Sequence, residues 1–216
     1  MEGRIAQAFR ASLLLGTLLP AMLTSSAWAG QEETALIEAY GGEGNSLYCR
    51  EPFATGSRIK IDYIYSEKQM LQHFGCLTSR QCQRKDGFSS AFEDMHNQYP
   101  IERAVVLDRR GSTFDDSPDD EVQPEECGYR LSYLQFEPPD HAKGNVARAL
   151  VYMSKRHDLP LPSNANLLKL WNELDPPDEE ERRRNQLIQR MQGNSNPYID
   201  DPSRMDRISG LRGRDW

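Results

Sequence analysis

The sequence predicts an α+β fold, with small mixed and antiparallel β elements followed by a helical C-terminal third. Three observations carry this. Residues 58–65 (RIKIDYIY) alternate Ile59, Ile61, Tyr63 and Tyr65 with Lys60, Asp62 and Ile64, the two-residue period of a half-buried strand. Residues 143–157 place Val146, Leu150 and Met153 at the i, i+4, i+7 spacing of an amphipathic helix. The 216 residues hold four cysteines, Cys49, Cys76, Cys82 and Cys127, an even number suited to two disulfides.

The chain opens on a segment expected to be removed. Residues 1–29 join Arg4 and Arg10 to an apolar stretch over 11–23 and then to Ala27-Trp28-Ala29, the succession of a secretory signal peptide. Thr17 and Pro20 interrupt the stretch, which falls short of the roughly 20 apolar residues of a membrane span. Cleavage takes away Arg4, Arg10 and Glu2 and moves the formal charge from -7 to -8. The expectation is a monomeric periplasmic or extracellular domain over 30–200, with no membrane span, and a flexible tail over 201–216. A net negative chain lacks the global field that binds a polyanion by counterion release, so any nucleic-acid contact falls to a local patch. Four cysteines allow three pairings. Cys76 and Cys82 enclose five residues and can close a small loop, leaving Cys49 with Cys127; no C-x-x-C or Cys/His cluster points to zinc.

Residues 30–40 read as a short helical lead-in, stopped by the Gly-rich 41–46. Leu47-Tyr48-Cys49 and 58–65 read as strands. Ser66 to Phe74 begins a helix that Gly75 ends. Residues 87–97 hold one helical turn, Ala104 to Leu107 is a short apolar run, and 111–126 form an acidic loop. Tyr129 to Phe136 is a further strand candidate, closed by Pro138-Pro139. Ser163 caps a helix presenting Leu167, Leu170, Trp171 and Leu174. Asp178 with Glu181 forms a capping-box pattern for a helix that stops at Gly193. On that helix Glu179 pairs with Arg183 and Glu180 with Arg184 at i, i+4, which reads as a solvated, salt-bridged face.

The block from Trp171 to Asp200 carries the specific signal. Its Trp171-Asn172, its E/R-rich helix and its Gln192-Gly193-Asn194-Ser195-Asn196-Pro197-Tyr198 resemble the C-terminal block of the bacterial endonuclease I family, the periplasmic and extracellular deoxyribonucleases. Three more stretches resemble that family in its order. They are Tyr48-Cys49, then Asp94-Met95-His96-Asn97 with Pro100, then Gly144 through Arg148 with Tyr152-Met153.

The resemblance implies a ββα-metal nuclease core that hydrolyses DNA or RNA phosphodiesters non-specifically. A divalent cation, usually magnesium, neutralises the phosphate and a strand-end histidine activates water. The strand resembling Ile61-Asp62-Tyr63 continues in the family into Glu-His, a metal ligand and the base. Here it continues into Ile64-Tyr65. The family's metal-binding Asn falls at Val106, and its glutamate ahead of the Asp falls at Phe92, with Glu93 one place late. No metal ligand is matched, so magnesium is expected for the family and unsupported by these residues.

Candidate replacements are Tyr65, Arg80 and His96 for catalysis and Glu67 and Asp108 for metal. Arg80 lies close to the arginine the family uses on the cleaved phosphate. His96 reads more readily as a buried, hydrogen-bonded histidine. His73 falls on a helix, and His141 and His157 show no partner. Arg80, Arg84, Lys85, Arg109 and Arg110, with Arg103, are candidates for a nucleic-acid-binding groove. Three functions follow. One is an exported endonuclease with a rebuilt site. Another is a silent nuclease-fold protein that binds nucleic acid or a protein partner. The third is a structural exported domain unrelated to nucleic acid.

Overall fold

The computed structural model describes residues 33–57, 59–110, 112–116, 122–123, 127–132 and 134–208. The expected signal peptide, 1–29, lies outside them.

A helix over 33–39 (α1) leads into Gly41 and Gly42, whose positive φ of 76° and 95° turns the chain. β1 (Glu43–Asn45) then pairs antiparallel with β2 (Pro52–Ala54). The Gly-rich run therefore supplies a strand, and Leu47-Tyr48-Cys49, expected as one, is the turn between the two. Tyr48 is fully buried there and donates to Asp62 Oδ2 at 2.5 Å.

β3 (Lys60–Tyr63) pairs antiparallel with β4 (Gln98–Ile101). The expected alternation holds in part. Ile59 and Ile61 pack on a small apolar cluster of Leu36, Ile37, Tyr40 and Phe53. The opposite side buries Asp62 as well as Ile64, because Arg109 reaches it. α2 (Glu67–Phe74) starts at a Ser66–Gln69 capping box and stops at Gly75 with φ 69°. α3 (Ser79–Cys82) and α4 (Phe88–Phe92) pack against α2, and α5 (Val105–Arg109) packs against β3. β3, β4 and α5 form the ββα unit.

The run 129–136 divides at Leu134, whose φ of 60° makes a turn, into β7 (Tyr129–Ser132) and β8 (Gln135–Glu137). With β5 (Thr113–Phe114) and β6 (Val122–Gln123) they form a sheet ordered β5-β8-β7-β6, parallel only between β5 and β8.

The helical third comprises α6 (Asp140–Arg156), α7 (Ala165–Leu174), α8 (Glu179–Gln192) and α9 (Pro197–Asp200). Asn164 caps α7, not Ser163, which donates to Phe114 O at 2.8 Å. Of the expected apolar face, Trp171 enters the core beside Leu168, while Leu170 and Leu174 stay exposed. The expected tail is corrected over its first eight residues. Pro202–Arg207 forms a 3-10 turn, and Met205 and Ile208 are buried in the main core. Two spaced apolar side chains suffice once α7 lies alongside; residues 209–216 lie outside the description.

Both disulfides form as Cys49–Cys127 and Cys76–Cys82. Among the described residues no helix is long and apolar enough to cross a membrane.

Candidate functional site

The end of β3 is where the family's chemistry is expected. Ile64 and Tyr65 are 1% and 2% exposed, and Tyr65 OH donates to Pro160 O at 3.0 Å. Burial pushes that phenol up to about 12, so it is no base at neutral pH. Asn97 locks the corner. Its Oδ1 accepts from Tyr65 N at 2.6 Å, and its Nδ2 donates to Tyr65 O at 3.0 Å. Val106, on α5, packs against the same core.

A divalent cation needs hard oxygen or imidazole donors. Ile64 and Val106 have none, and Tyr65 spends its hydroxyl on a carbonyl, so these positions do not fit magnesium. Among the described residues no three His, Cys, Asp or Glu side chains are grouped to hold a metal.

The candidate replacements Glu67, Asp108 and His96 each bond to a different residue. Glu67, exposed at the start of α2, accepts from Ser79 Oγ, which brings α3 and Arg80 beside this corner. Asp108 accepts from Tyr129 OH at 2.6 Å, facing the four-stranded sheet. His96 is fully buried, its Nε2 3.0 Å from Asn194 O. In the described residues no hydrogen bond joins any two of Tyr65, Glu67, Arg80, His96 and Asp108. His73 is exposed at the end of α2, edge-on to Phe74.

Burial, followed by the Arg184 charge, pulls His96 down to about 4. The unfolded chain, with an ordinary imidazole near 6.5, takes up its proton first. His96 therefore contributes stability that is complete above about pH 6.5 and is lost as pH falls toward 4, about 3 kcal/mol in all. Urea midpoints across that window should fall for the wild type and flatten in a His96→Gln variant. Equal slopes would remove this assignment. His141, also pulled down by burial, titrates in both proteins and cancels in the comparison.

The proposed nucleic-acid set divides. Arg80, Arg84 and Lys85 are exposed around the Cys76–Cys82 loop, and Arg103 and Arg110 are exposed around α5. Arg109 is 4% exposed and cannot reach a phosphate. Its Nε meets Asp62 Oδ2 at 2.9 Å, its Nη1 donates to Ser112 O at 2.9 Å, and it lies 3.8 Å over the Phe114 ring. The acidic loop is likewise partly engaged, since Asp116 accepts from Trp171 Nε1 at 3.0 Å.

The matched motifs meet elsewhere, in buried polar networks. Asp94 accepts from Tyr152 OH at 2.7 Å, Gln192 Nε2 at 2.9 Å and His96 N at 3.0 Å, and pairs with His157 Nε2 at 2.9 Å. These bonds outweigh its burial and hold its carboxyl down at about 2. Arg148 is forked onto Glu181 and also donates to Asn172 Oδ1 at 3.0 Å. Asn196 Nδ2 reaches Arg148 O at 3.2 Å. A Cβ on Gly144 would lie 1.8 Å from Asp175 O, so only glycine lets this connection pass α6. D-M-H-N, G-x-V-A-R with Tyr152, W-N and Q-G-N-S-N-P are one interlocked scaffold.

The endonuclease I family model matches residues 89–203, the segment holding those networks. The chain belongs to the endonuclease I family. Two extracellular deoxyribonucleases of Aeromonas hydrophila are 33% and 32% identical, over 67% and 70% of this chain and 66% and 70% of their own lengths. An extracellular ribonuclease of Bacillus amyloliquefaciens is 31% identical over 53% of this chain and 46% of its own length. The chain thus spans only part of each relative.

This endonuclease I-family chain also holds what sequence reasoning missed. His157 has a partner in Asp94. Arg184, expected on a solvated face, is 1% exposed, donating to Met95 O at 2.6 Å and Gln98 O at 2.7 Å. Glu180 instead accepts from Asn45 N at 2.9 Å. The available signal for Arg184 was its i, i+4 spacing to Ile188 on the face that enters the core.

Proposed function

We propose that this is an exported endonuclease I-family protein that binds nucleic acid through the Cys76–Cys82 lobe and does not hydrolyse it by the family's metal-dependent route. One observation carries the reading: Ile64 and Tyr65, at the strand end where ligand and base are expected, are packed in the core. Water activation needs a base within about 3 Å of the attacking oxygen and near-neutral titration. A buried phenol held on a carbonyl offers neither. Export is supported by the leader-like 1–29, by the two disulfides and by relatives named as extracellular enzymes. Those names divide between DNA and RNA, so both are proposed as ligands.

Arg80, Arg84 and Lys85 give a local positive surface on a chain of net charge -7. Three phosphate contacts set a slope of log affinity against log salt of about -2.7 on duplex DNA. The test uses disulfide-intact mature protein with supercoiled plasmid and with RNA, in magnesium, manganese or EDTA. No metal-dependent nicking is expected, and nicking by the wild type would sink the reading. Fluorescence anisotropy at low ionic strength should show saturable binding that Arg80→Ala/Arg84→Ala/Lys85→Ala abolishes; no binding by the wild type would equally overturn it.

A further inference from the structure

The Cys76–Cys82 lobe carries an apolar side chain that phosphate contacts leave unused. Leu77 is 89% exposed, the most exposed of the large hydrophobic residues described. Its backbone is held from both sides. Before it, Gly75 closes α2 in the left-handed region, and Cys76 N donates back to Leu71 O at 2.9 Å. After it, Thr78 caps α3 by accepting from Gln81 N, and the N–H of Leu77 itself donates to Gln81 Oε1 at 3.0 Å. The disulfide then ties Cys76, directly before Leu77, to the end of α3 at Cys82. A backbone pinned in this way keeps the side chain in water, where it stands as a fixed apolar tip.

The surface around the tip is cationic. Residues 68–85 hold Lys68, Arg80, Arg84 and Lys85 and no Asp or Glu, on a chain whose formal charge is -7. All four are exposed, and none forms an ion pair among the described residues. The carboxylates bordering the segment are Glu67, which accepts from Ser79 Oγ, and Asp86, which is exposed. Phe74 lies against Gly87, its ring atoms 3.8 and 3.9 Å from where a Cβ would stand, which brings the Arg84–Lys85 turn back toward the end of α2.

A rigid apolar tip set among cations matches a polyanion with an apolar interior, and stacked bases behind a phosphate backbone are such a ligand. An anionic bilayer has the same two parts. A single leucine, however, offers far less apolar area than one acyl chain, which by itself anchors only marginally.

Resting on the nucleic-acid reading above, we propose that Leu77 is a wedge that enters between adjacent bases, so that the lobe selects nucleic acid with a weakened stacking step, a mismatch or a nick, over intact duplex. Burying one leucine side chain returns about as much free energy as opening one stacked step takes. On intact duplex the two cancel, and the cations set the affinity. Where a mismatch or a nick has already loosened the step, the burial remains as net binding, and one step corresponds to about tenfold in affinity.

The test uses disulfide-intact mature protein in EDTA with short fluorescent DNA duplexes that are intact, mismatched or nicked, each carrying a fluorescent aminopurine base beside the altered step. Anisotropy should show the mismatched and nicked duplexes bound about tenfold more tightly than the intact one, with the aminopurine brightening as its neighbour unstacks. Leu77→Ser, at an exposed position that spares folding, should remove the preference and the brightening while leaving affinity for intact duplex and its salt slope unchanged. Leu77→Phe, another apolar wedge, should keep both. Equal affinity for all the duplexes, or a preference that survives Leu77→Ser, overturns the wedge while the binding reading stands. No binding to any duplex removes that reading and the wedge with it. Leu77-dependent binding of phosphatidylglycerol vesicles, without Leu77-dependent selection among the duplexes, overturns the wedge in favour of a lipid surface.

Discussion

Truncating Arg148 to alanine is expected to cost about 3–5 kcal/mol, enough to unfold a domain whose whole stability is typically about 5–15 kcal/mol. Arg148 is fully buried in the middle of α6, and Glu181, near the start of α8, is 3% exposed. Their fork is supplemented by Nη1 donating to Asn172 Oδ1 at 3.0 Å and Asp175 O at 2.7 Å. Removing the guanidinium strands a carboxylate out of water and leaves two carbonyl acceptors unpaired, which is why the single change costs far more than the pair contributes. Arg148→Met/Glu181→Met, which removes both charges and keeps volume, should recover most of the loss. Urea unfolding of the two single variants and the double variant measures this. A double variant as unstable as Arg148→Ala would show that packing and the Asn172 and Asp175 contacts, not the stranded charge, carry the effect.

Replacing Cys49 and Cys127 together by serine should cost about 4.5 kcal/mol on the chain-entropy estimate, because the bond closes a loop with a sequence separation of 78. Replacing Cys76 and Cys82 should cost about 2 kcal/mol, since that separation is 6. The long bridge ties the 47–49 turn to the start of β7, while Tyr48 of that turn packs its ring, tilted, on Phe136 of the neighbouring β8. The two double variants, compared by urea midpoint and slope, should rank in that order. The reverse order would mean that the Cys76–Cys82 lobe is coupled to the core more strongly than loop length allows.

Particular residues show how far the sequence could be read. Ser66, Gly75, Asp178 and Gly193 mark helix ends by chemistry internal to a few residues, a capping side chain or a left-handed backbone, and those helices stand where they were expected. The motif blocks were legible as a family, but their purpose was not. Asp94, Tyr152 and Gln192 lie in three separate stretches, and only folding brings the last two to the Asp94 carboxylate, with Asn194 donating to Tyr152 OH behind them. Periodicity failed where a distant charge overruled it. Asp62 is buried because Arg109 arrives from α5, and Arg184 because two carbonyls near β4 receive it.

The sequence by itself determined the α+β class, the family and the absence of Glu-His after Ile61-Asp62-Tyr63, because each is written in contiguous residues. The tertiary structure decided the rest. It filled the strand end with Ile64 and Tyr65, took Arg109 out of the basic surface and left Arg184 buried with donors to spare. The physical reason is that burial and pairing are properties of what other segments bring to a residue, and an ionisable side chain changes role according to which of them reaches it.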